Sequence, residues 1–344
     1  MRTSAVAHLG GLWASEPDVI TGDLEDLRSG GRWAVVLPYR GEPVLVRFTR
    51  WSVNPPSEPV GPWGGVAPEG WRTSLSEDDY VEAVRRVQGH IGRGEVYQAN
   101  LCRVLSAPVD PSDDIVALHQ VLSRGNPAPF QSMISIPEVD LHVACASPEL
   151  FVRRDGQHLV SGPIKGTAPS PALLLDKDLA ENVMIVDLVR NDLSRVARTG
   201  SVRVPDLLRV EEHPGLVHLV SDVECRLRPG AGWSDILEAT FPPGSVTGAP
   251  KQSALGIIEN LERAPRDVYC GAVGWIDADR DAAELAVAIR TFWIRANTLS
   301  FGTGAGITWG SDPHGEWQET ELKARRLCAL AAEAVPAQVR TRVS

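Results

Sequence analysis

The chain has 344 residues and a formal net charge of -10, with 43% hydrophobic and 23% charged residues. These fractions exclude a disordered or fibrous chain, and the length suits one large domain or two fused lobes. The acidic balance argues against a nucleic-acid or anionic-membrane surface as partner, because such surfaces attract proteins that carry basic patches.

The first 72 residues are predicted to form a short N-terminal region. Two apolar runs, 33–37 and 44–48, flank a polar segment, which predicts a β-hairpin. A proline- and glycine-rich stretch at 54–70 follows and predicts a loop. We therefore expect a hairpin region at 1–72 and a catalytic core at 73–335, in one continuous domain overall.

The core is predicted to combine helices with short antiparallel strands. Apolar residues at helical spacing, with capping residues at the starts, predict helices at 76–92, 113–123, 178–196, 234–239, 250–261 and 316–334. Strand patterns occupy 96–105, 133–136, 141–146, 150–153, 158–160, 202–226, 269–276, 285–292 and 299–303. The gaps between successive strands are too short for crossover helices, so neighbouring strands should be antiparallel. The predicted fold class is α+β.

The five cysteines show no paired short spacing, which predicts reduced core thiols and neither a disulfide framework nor a zinc site. No segment approaches the roughly 20 apolar residues of a membrane helix. The apolar start is also too short and too polar for a signal peptide. We expect a cytoplasmic protein without a membrane partner.

One lysine lies in an unusual backbone setting. Pro163 restricts the chain before Lys165, and Gly166 leaves space directly after it. Such a lysine can act as a nucleophile if burial lowers its pKa. The alternative is a solvated lysine in a turn, which is the more common situation for this residue type.

Carboxylates recur on one face of two predicted helices. Asp178 and Glu181 are three residues apart, and Glu316, Glu319 and Lys323 share a face of the last helix. Mg²⁺ prefers oxygen ligands and is often held by one or two carboxylates together with an anionic substrate. These faces are therefore a candidate magnesium site, and the alternative is that they are ordinary solvated helix faces.

Two glycine-rich turns, 243–251 and 302–306, can present backbone N–H groups to an anion. Neither has the order of a Walker A loop or of a dinucleotide fingerprint, so nucleotide binding is not predicted. Arg290 interrupts an apolar run and is either paired structurally or available to bind a carboxylate. Glu149 and His218 are acid–base candidates in apolar surroundings, and for the histidine a hydrogen-bonded core position is the alternative.

Eight segments of the sequence, taken in chain order, resemble those of the chorismate-utilising enzymes. The matching segments are Gly94 to Leu101, Ser147 to Glu149, Pro163 to Thr167, Glu181 to Asp192, His218 to Ser221, Gly244 to Lys251, Ala288 to Thr291 and Gly304 to Ile307. The resemblance implies two packed, mainly antiparallel β-sheets with helices on their outer faces.

Within that family, anthranilate synthases usually have alanine at the position of Lys165, whereas component I of aminodeoxychorismate synthase has lysine. The resemblance therefore implies that the Lys165 amine attacks C2 of chorismate while the C4 hydroxyl leaves. Ammonia then displaces the lysine and gives 4-amino-4-deoxychorismate, for a 4-aminobenzoate and folate pathway or a related secondary-metabolite pathway.

The same resemblance assigns roles to the remaining candidates. Glu149 is the expected general acid and base, and His218 is expected beside it in the catalytic pocket. Glu181 and Glu319 are the expected Mg²⁺ ligands, with Asp178 and Glu316 nearby. The expected substrate-binding residues are Thr167, Ser245, Thr247, Tyr269, Arg290, Gly306 and Lys323.

Other features bear on the nucleophile and on alternatives. Gln98 lies where water-adding relatives have a lysine, which favours ammonia. The chain has no glutaminase cysteine motif, so ammonia would come from solution or from a separate glutamine amidotransferase subunit. Gly162 and Ser170 replace arginines that are common in the family. The alternatives are an anthranilate or aminodeoxyisochorismate synthase component I and a non-catalytic partner of an amidotransferase.

Overall fold

The computed structural model describes residues 4–168, 170–173, 176–213 and 216–337. The helices are α1 (Glu77–Gly92), α2 (Ile115–Gly125), α3 (Asp176–Ser194), α4 (Trp233–Thr240), α5 (Lys251–Leu261) and α6 (Pro313–Ala331). The strands are β1 (Val6–Leu9), β2 (Leu12–Thr21), β3 (Arg32–Leu37), β4 (Val44–Ser52), β5 (Arg72–Thr73), β6 (Gln98–Pro108), β7 (Phe130–Ile136), β8 (Leu141–Ser147), β9 (Leu150–Asp155), β10 (His158–Gly162), β11 (Ile164–Ala168), β12 (Arg203–His213), β13 (Leu216–Arg226), β14 (Gly248–Ala249), β15 (Ala272–Asp277), β16 (Ala282–Val287), β17 (Thr291–Arg295) and β18 (Thr298–Ile307).

The strands form one hydrogen-bonded path in which the neighbours described are antiparallel. Its order is β12, β13, β10, β9, β16, β15, β3, β4, β2, β1, β7, β8, β17, β18, β6. β11 also pairs with β13, and β5 and β14 pair with β6. Helices combined with antiparallel strands confirm the α+β prediction.

The path folds back so that its two halves enclose a common core. Val35 and Val273 from one half belong to the same buried cluster as Ile134 and Val143 from the other. Each fully buried side chain of this kind stabilises the fold by roughly 1.5–3 kcal/mol. Helices α2 and α6 cover a second cluster, and α1 and α5 cover a third.

Some elements differ from the sequence-based predictions. The predicted strand 285–292 is divided between β16 and β17, because Arg290 has a φ of 52°, in the left-handed region. Helix α4 has Gly232 at its N-cap, and the predicted cap Ser234 lies within the first turn. There, the Asp235 carboxylate accepts a hydrogen bond from the Gly232 N–H at 2.9 Å. β1 and β2 were not predicted. β1 is joined to the rest of the sheet by pairing with β7, and β2 by pairing with β4.

The cysteines Cys102, Cys145, Cys225 and Cys270 are buried, Cys328 is partly buried, and all are free thiols. The buried positions of the first four agree with the predicted place of the cysteines in the core. Among the helices described, none combines the length and the apolar character needed to cross a membrane.

Candidate active site

Lys165 lies on β11, opposite Leu219 of β13. The pairing register shifts between Lys165 and Thr167, where Gly166 has a φ of 75°. The half-buried ammonium donates to the main-chain carbonyl of Ser245 at 3.4 Å. Burial lowers the pKa of Lys165, and the nearby carboxylates of Glu181 and Glu149 oppose that shift. The setting therefore increases the fraction of neutral, nucleophilic amine.

Glu149 lies in the connection between β8 and β9 and is only 4% exposed. Burial raises the pKa of its carboxyl group to about 7. The Ser245 hydroxyl and the Ile164 N–H donate to the carboxylate, and both, like the charge of Lys165, limit the rise. A carboxyl group that titrates near neutrality can both give and accept a proton at physiological pH.

The segment between α4 and α5 carries Ser245, which contacts both of these groups. Asn100 of β6 holds this segment through two hydrogen bonds. Its side-chain amide donates to the Ser245 carbonyl at 3.0 Å, and its main-chain N–H donates to the Thr247 carbonyl at 2.7 Å. The buried Thr247 hydroxyl donates to the Pro243 carbonyl at 3.1 Å. Thr247 therefore shapes the turn, while Ser245 lies between Lys165 and Glu149.

Arg290 lies in the break between β16 and β17, directly before the first residue of β17. Its carbonyl accepts from the Ala146 N–H at 3.1 Å, which holds it beside the strand that leads to Glu149. Burial lowers the pKa of Arg290. Among the residues that the structure describes, no side chain forms an ion pair with this guanidinium. A partly desolvated cation of this kind is suited to bind a carboxylate.

Lys323 of α6 lies within electrostatic range of Lys165 and Glu149 and is hydrogen-bonded to β18, the strand that carries Gly306. Lys323 forms an ion pair with Glu319 at 2.6 Å and donates to the Gly304 carbonyl at 3.0 Å. A Cβ at Gly306 would lie 2.1 Å from the Gln98 side-chain nitrogen. Gln98 is fully buried, and within the described ranges its side-chain nitrogen and oxygen have no hydrogen-bond partner. An unsatisfied buried amide is costly, so a polar ligand here would recover that free energy.

Tyr269 is packed behind β18. A Cβ at Gly302 would lie 2.0 Å from the Tyr269 ring, and the phenol hydroxyl contacts the thiol of Cys102. Burial raises the pKa of this phenol. Gly302 is therefore required to make room for the ring.

The carboxylates predicted to hold a metal come from α3 and α6. The charges of Glu181 and Glu319 both favour the protonated form of Lys165, so the two helices bring both carboxylates within electrostatic range of the same amine. Glu316 accepts from the Ser311 hydroxyl at 2.6 Å. No group of three or more metal-binding side chains occurs in the described part of the chain. Two carboxylates nevertheless fit Mg²⁺, which usually completes its shell with water and substrate oxygens.

The side chains of Thr167, Asp178 and His218 lie outside the described residues. At the level of the backbone, Thr167 of β11 is paired with His218 of β13. Sequence reasoning did not identify Asn100 as the residue that holds the Ser245 segment, although it lies within the matched segment Gly94 to Leu101.

Comparison with known proteins gives consistent results. A family model described as chorismate binding enzyme matches residues 46–329. Anthranilate synthase component 1 of Neisseria meningitidis is 38% identical over 75% of this chain and 54% of the relative. Aminodeoxychorismate synthase component 1 of Klebsiella aerogenes is 39% identical over 75% of this chain and 58% of the relative. The chain thus spans little more than half the length of these curated relatives.

Solved structures show the same fold. Anthranilate synthase component I from Streptococcus pneumoniae superposes with a TM-score of 0.75 at 24% identity, covering 95% of this chain and 90% of that one. The menaquinone-specific isochorismate synthase from Escherichia coli superposes with a TM-score of 0.79 at 19% identity, covering 95% and 88%.

Proposed function

The chain belongs to the chorismate binding enzyme family, and from this premise we propose that it is a Mg²⁺-dependent synthase that aminates chorismate to 4-amino-4-deoxychorismate. One observation carries the proposal. Lys165 and Glu149 flank Ser245, and burial moves the pKa values of the amine and the carboxyl group towards neutrality from opposite directions. Burial therefore favours the neutral amine and the protonated carboxyl group that the reaction needs.

The proposed reaction has two steps. The neutral Lys165 amine forms a bond to C2 of chorismate, both ring double bonds shift, and the C4–O bond breaks. Glu149 gives its proton to the hydroxyl, which leaves as water. Ammonia then bonds to C4, both ring double bonds shift back, and the C2–N bond to Lys165 breaks. The proton that ammonia loses goes to the Glu149 carboxylate, so both residues return to their starting states.

The dicarboxylate substrate would be held by cations on both sides. Glu181 and Glu319 would hold Mg²⁺, which when bound neutralises and orients the ring carboxylate. Arg290, which has no ion-pair partner in the part of the chain that the structure describes, would bind the second carboxylate. Lys323, which forms an ion pair with Glu319, would bind the substrate near the metal and next to Gly306. Asp178 and Glu316 would assist the metal.

Several assignments rest on the resemblance to the family. Thr167 and His218 would line the substrate pocket, and Thr247 and Tyr269 would support it from their buried positions. Ammonia would come from solution or from a separate glutamine amidotransferase, and the "component 1" in the names of the relatives supports a second component. The product would supply 4-aminobenzoate formation, in the cytoplasm.

An anthranilate synthase component is the second candidate, because relatives with that name are similar at the same level of identity. It would use the same acids and cations and differ in the carbon that receives the amino group. Lys165 favours the first candidate, since the attack at C2 needs an amine at this position.

The deciding experiment incubates the purified protein with chorismate, Mg²⁺ and ammonium, and identifies products by mass spectrometry and a pyruvate assay. We expect 4-amino-4-deoxychorismate without pyruvate. Anthranilate with equimolar pyruvate would establish the second candidate, and no consumption of chorismate would refute both. Lys165→Arg is the matched control, because it keeps the positive charge and has no neutral amine at this pH.

A further inference from the structure

A buried ion pair lies behind the catalytic residues and takes no part in the proposed chemistry. The Lys251 ammonium donates to the Asp192 carboxylate at 2.6 Å and to the Thr240 carbonyl at 3.0 Å. The two charged side chains are only 13% and 7% exposed. Burial raises the pKa of Asp192 and lowers that of Lys251, while their mutual attraction opposes both shifts. The cost of removing two charges from water can exceed their attraction, so the presence of this pair does not by itself indicate that it stabilises the fold.

The connectivity of this pair points to the active site. Thr240 is the last residue of α4, and Lys251 is the first residue of α5. The segment between them, 241–250, contains Ser245. One ammonium group therefore joins the two ends of the segment and also attaches them to Asp192 of α3. This contact limits how far the segment can move relative to the sheet that carries Lys165.

The segment also approaches α3 very closely at Gly244. A Cβ at this position would lie 2.7 Å from a Leu188 methyl group and 3.7 Å from the Asp192 carboxylate. Ser245 is the next residue, with its carbonyl on Lys165 and its hydroxyl on the Glu149 carboxyl group. A shift of the segment away from α3 would therefore be transmitted directly to both catalytic groups.

A small cavity connects the ion pair with the general acid. Its volume is about 20 Å³, and its lining includes Glu149, Ser161, Asp192, Thr240 and Ser245. A volume of this size holds about one water molecule when polar partners are available, as they are here. A water at this position would lie between the Asp192 side of the pair and the Glu149 side of the catalytic site.

We propose that Asp192 and Lys251 are positioning residues: together they hold the Ser245 segment in the position that the reaction requires, and Asp192 lines a one-water site behind Glu149. The inference rests on the proposed function. Its physical basis is that misplacement of a catalytic contact by about 1 Å can slow a reaction about 100-fold without loss of the fold.

The test uses Asp192→Asn, Lys251→Met and the control Arg154→Met. Asp192→Asn keeps the shape and the acceptor oxygen and removes the charge. Arg154→Met removes another largely buried cation, whose partner Asp281 lies at the far end of β9 and β16. For each purified variant, kcat and KM for chorismate are measured with saturating Mg²⁺ and ammonium, together with the melting temperature.

A positioning role predicts that kcat falls at least about 10-fold in Asp192→Asn and Lys251→Met, while KM stays within about two-fold. Arg154→Met should keep the wild-type kcat. The alkaline limb of the pH–kcat profile should also move in Asp192→Asn, because Asp192 faces Glu149 across the cavity. The other charged groups that face Glu149 are Lys165 from β11 and Lys323 from α6, and both are unchanged in these variants.

An unchanged kcat in both variants, or a raised KM with unchanged kcat, overturns the inference. If Lys251→Met does not fold, Asp192→Asn decides by the same criteria. A wild-type protein that does not consume chorismate would refute the proposed function and this inference together. An active wild type with unaffected variants would refute this inference alone.

Discussion

Replacing Glu149 by glutamine should abolish amination and stabilise the protein at alkaline pH. The carboxyl group has a pKa of about 7 in the fold against 4.5 for an ordinary glutamate, because burial penalises the charged form. A raised carboxyl pKa means that the folded state binds more protons than the unfolded state between these two values. Stability therefore decreases as pH rises through this window.

The difference between the ordinary pKa of 4.5 and the pKa of about 7 in the fold sets the magnitude. Since each pKa unit corresponds to about 1.4 kcal/mol, ionisation of Glu149 costs about 3 kcal/mol of folding free energy at pH 8. Glutamine cannot ionise, so Glu149→Gln should be about 3 kcal/mol more stable than wild type at pH 8 and nearly equal to it at pH 4.5.

Urea denaturation at several pH values between 4.5 and 8.5 measures this difference. Glu138→Gln, in the exposed turn between β7 and β8, is the matched control and should show no such pH dependence. Equal stability of Glu149→Gln and wild type at pH 8 would refute the burial argument. Retention of more than about 1% of wild-type kcat would refute the role of Glu149 as general acid.

Other substitutions test the remaining groups. Lys165→Ala should reduce amination at least about 100-fold while leaving the denaturation profile and Mg²⁺ binding near wild type, and wild-type rates would exclude the covalent step. Arg290→Lys should raise KM for chorismate about 10- to 100-fold, because a bidentate charged contact is lost; an unchanged KM would contradict carboxylate binding there. Gly306→Ala should raise KM, because a Cβ at this position would lie 2.1 Å from the Gln98 side-chain nitrogen and would displace the amide, and an unchanged KM would contradict this contact.

Much of the fold follows from the sequence. Helix α1 begins after Ser76, whose hydroxyl accepts from the Asp79 N–H, as the capping pattern predicts. The hairpin of β3 and β4 also forms at the predicted positions. These features depend on local chemistry that neighbouring residues specify.

Other features depend on contacts between distant segments. The strand break at Arg290 was not predicted, because its left-handed backbone is fixed by pairing on either side, with Cys145 opposite Thr291 and Leu150 opposite Ala286. The orphan amide of Gln98 could not be predicted either, since residues from several elements surround it. Sequence spacing identifies which side chains are available, and only the assembled fold determines which polar groups remain without a partner.

The glycines of β18 have a consequence for how this pocket can diversify. A Cβ at Gly302 would meet the Tyr269 ring, and a Cβ at Gly304 would lie 2.6 Å from the main-chain oxygen of Leu101. A Cβ at Gly306 would instead meet the flexible end of the Gln98 side chain. A main-chain obstacle cannot be removed by substitution, but a side-chain obstacle can. Position 98 of β6 and position 306 of β18 therefore form a coupled pair through which compensating substitutions could reshape the pocket without moving the sheet.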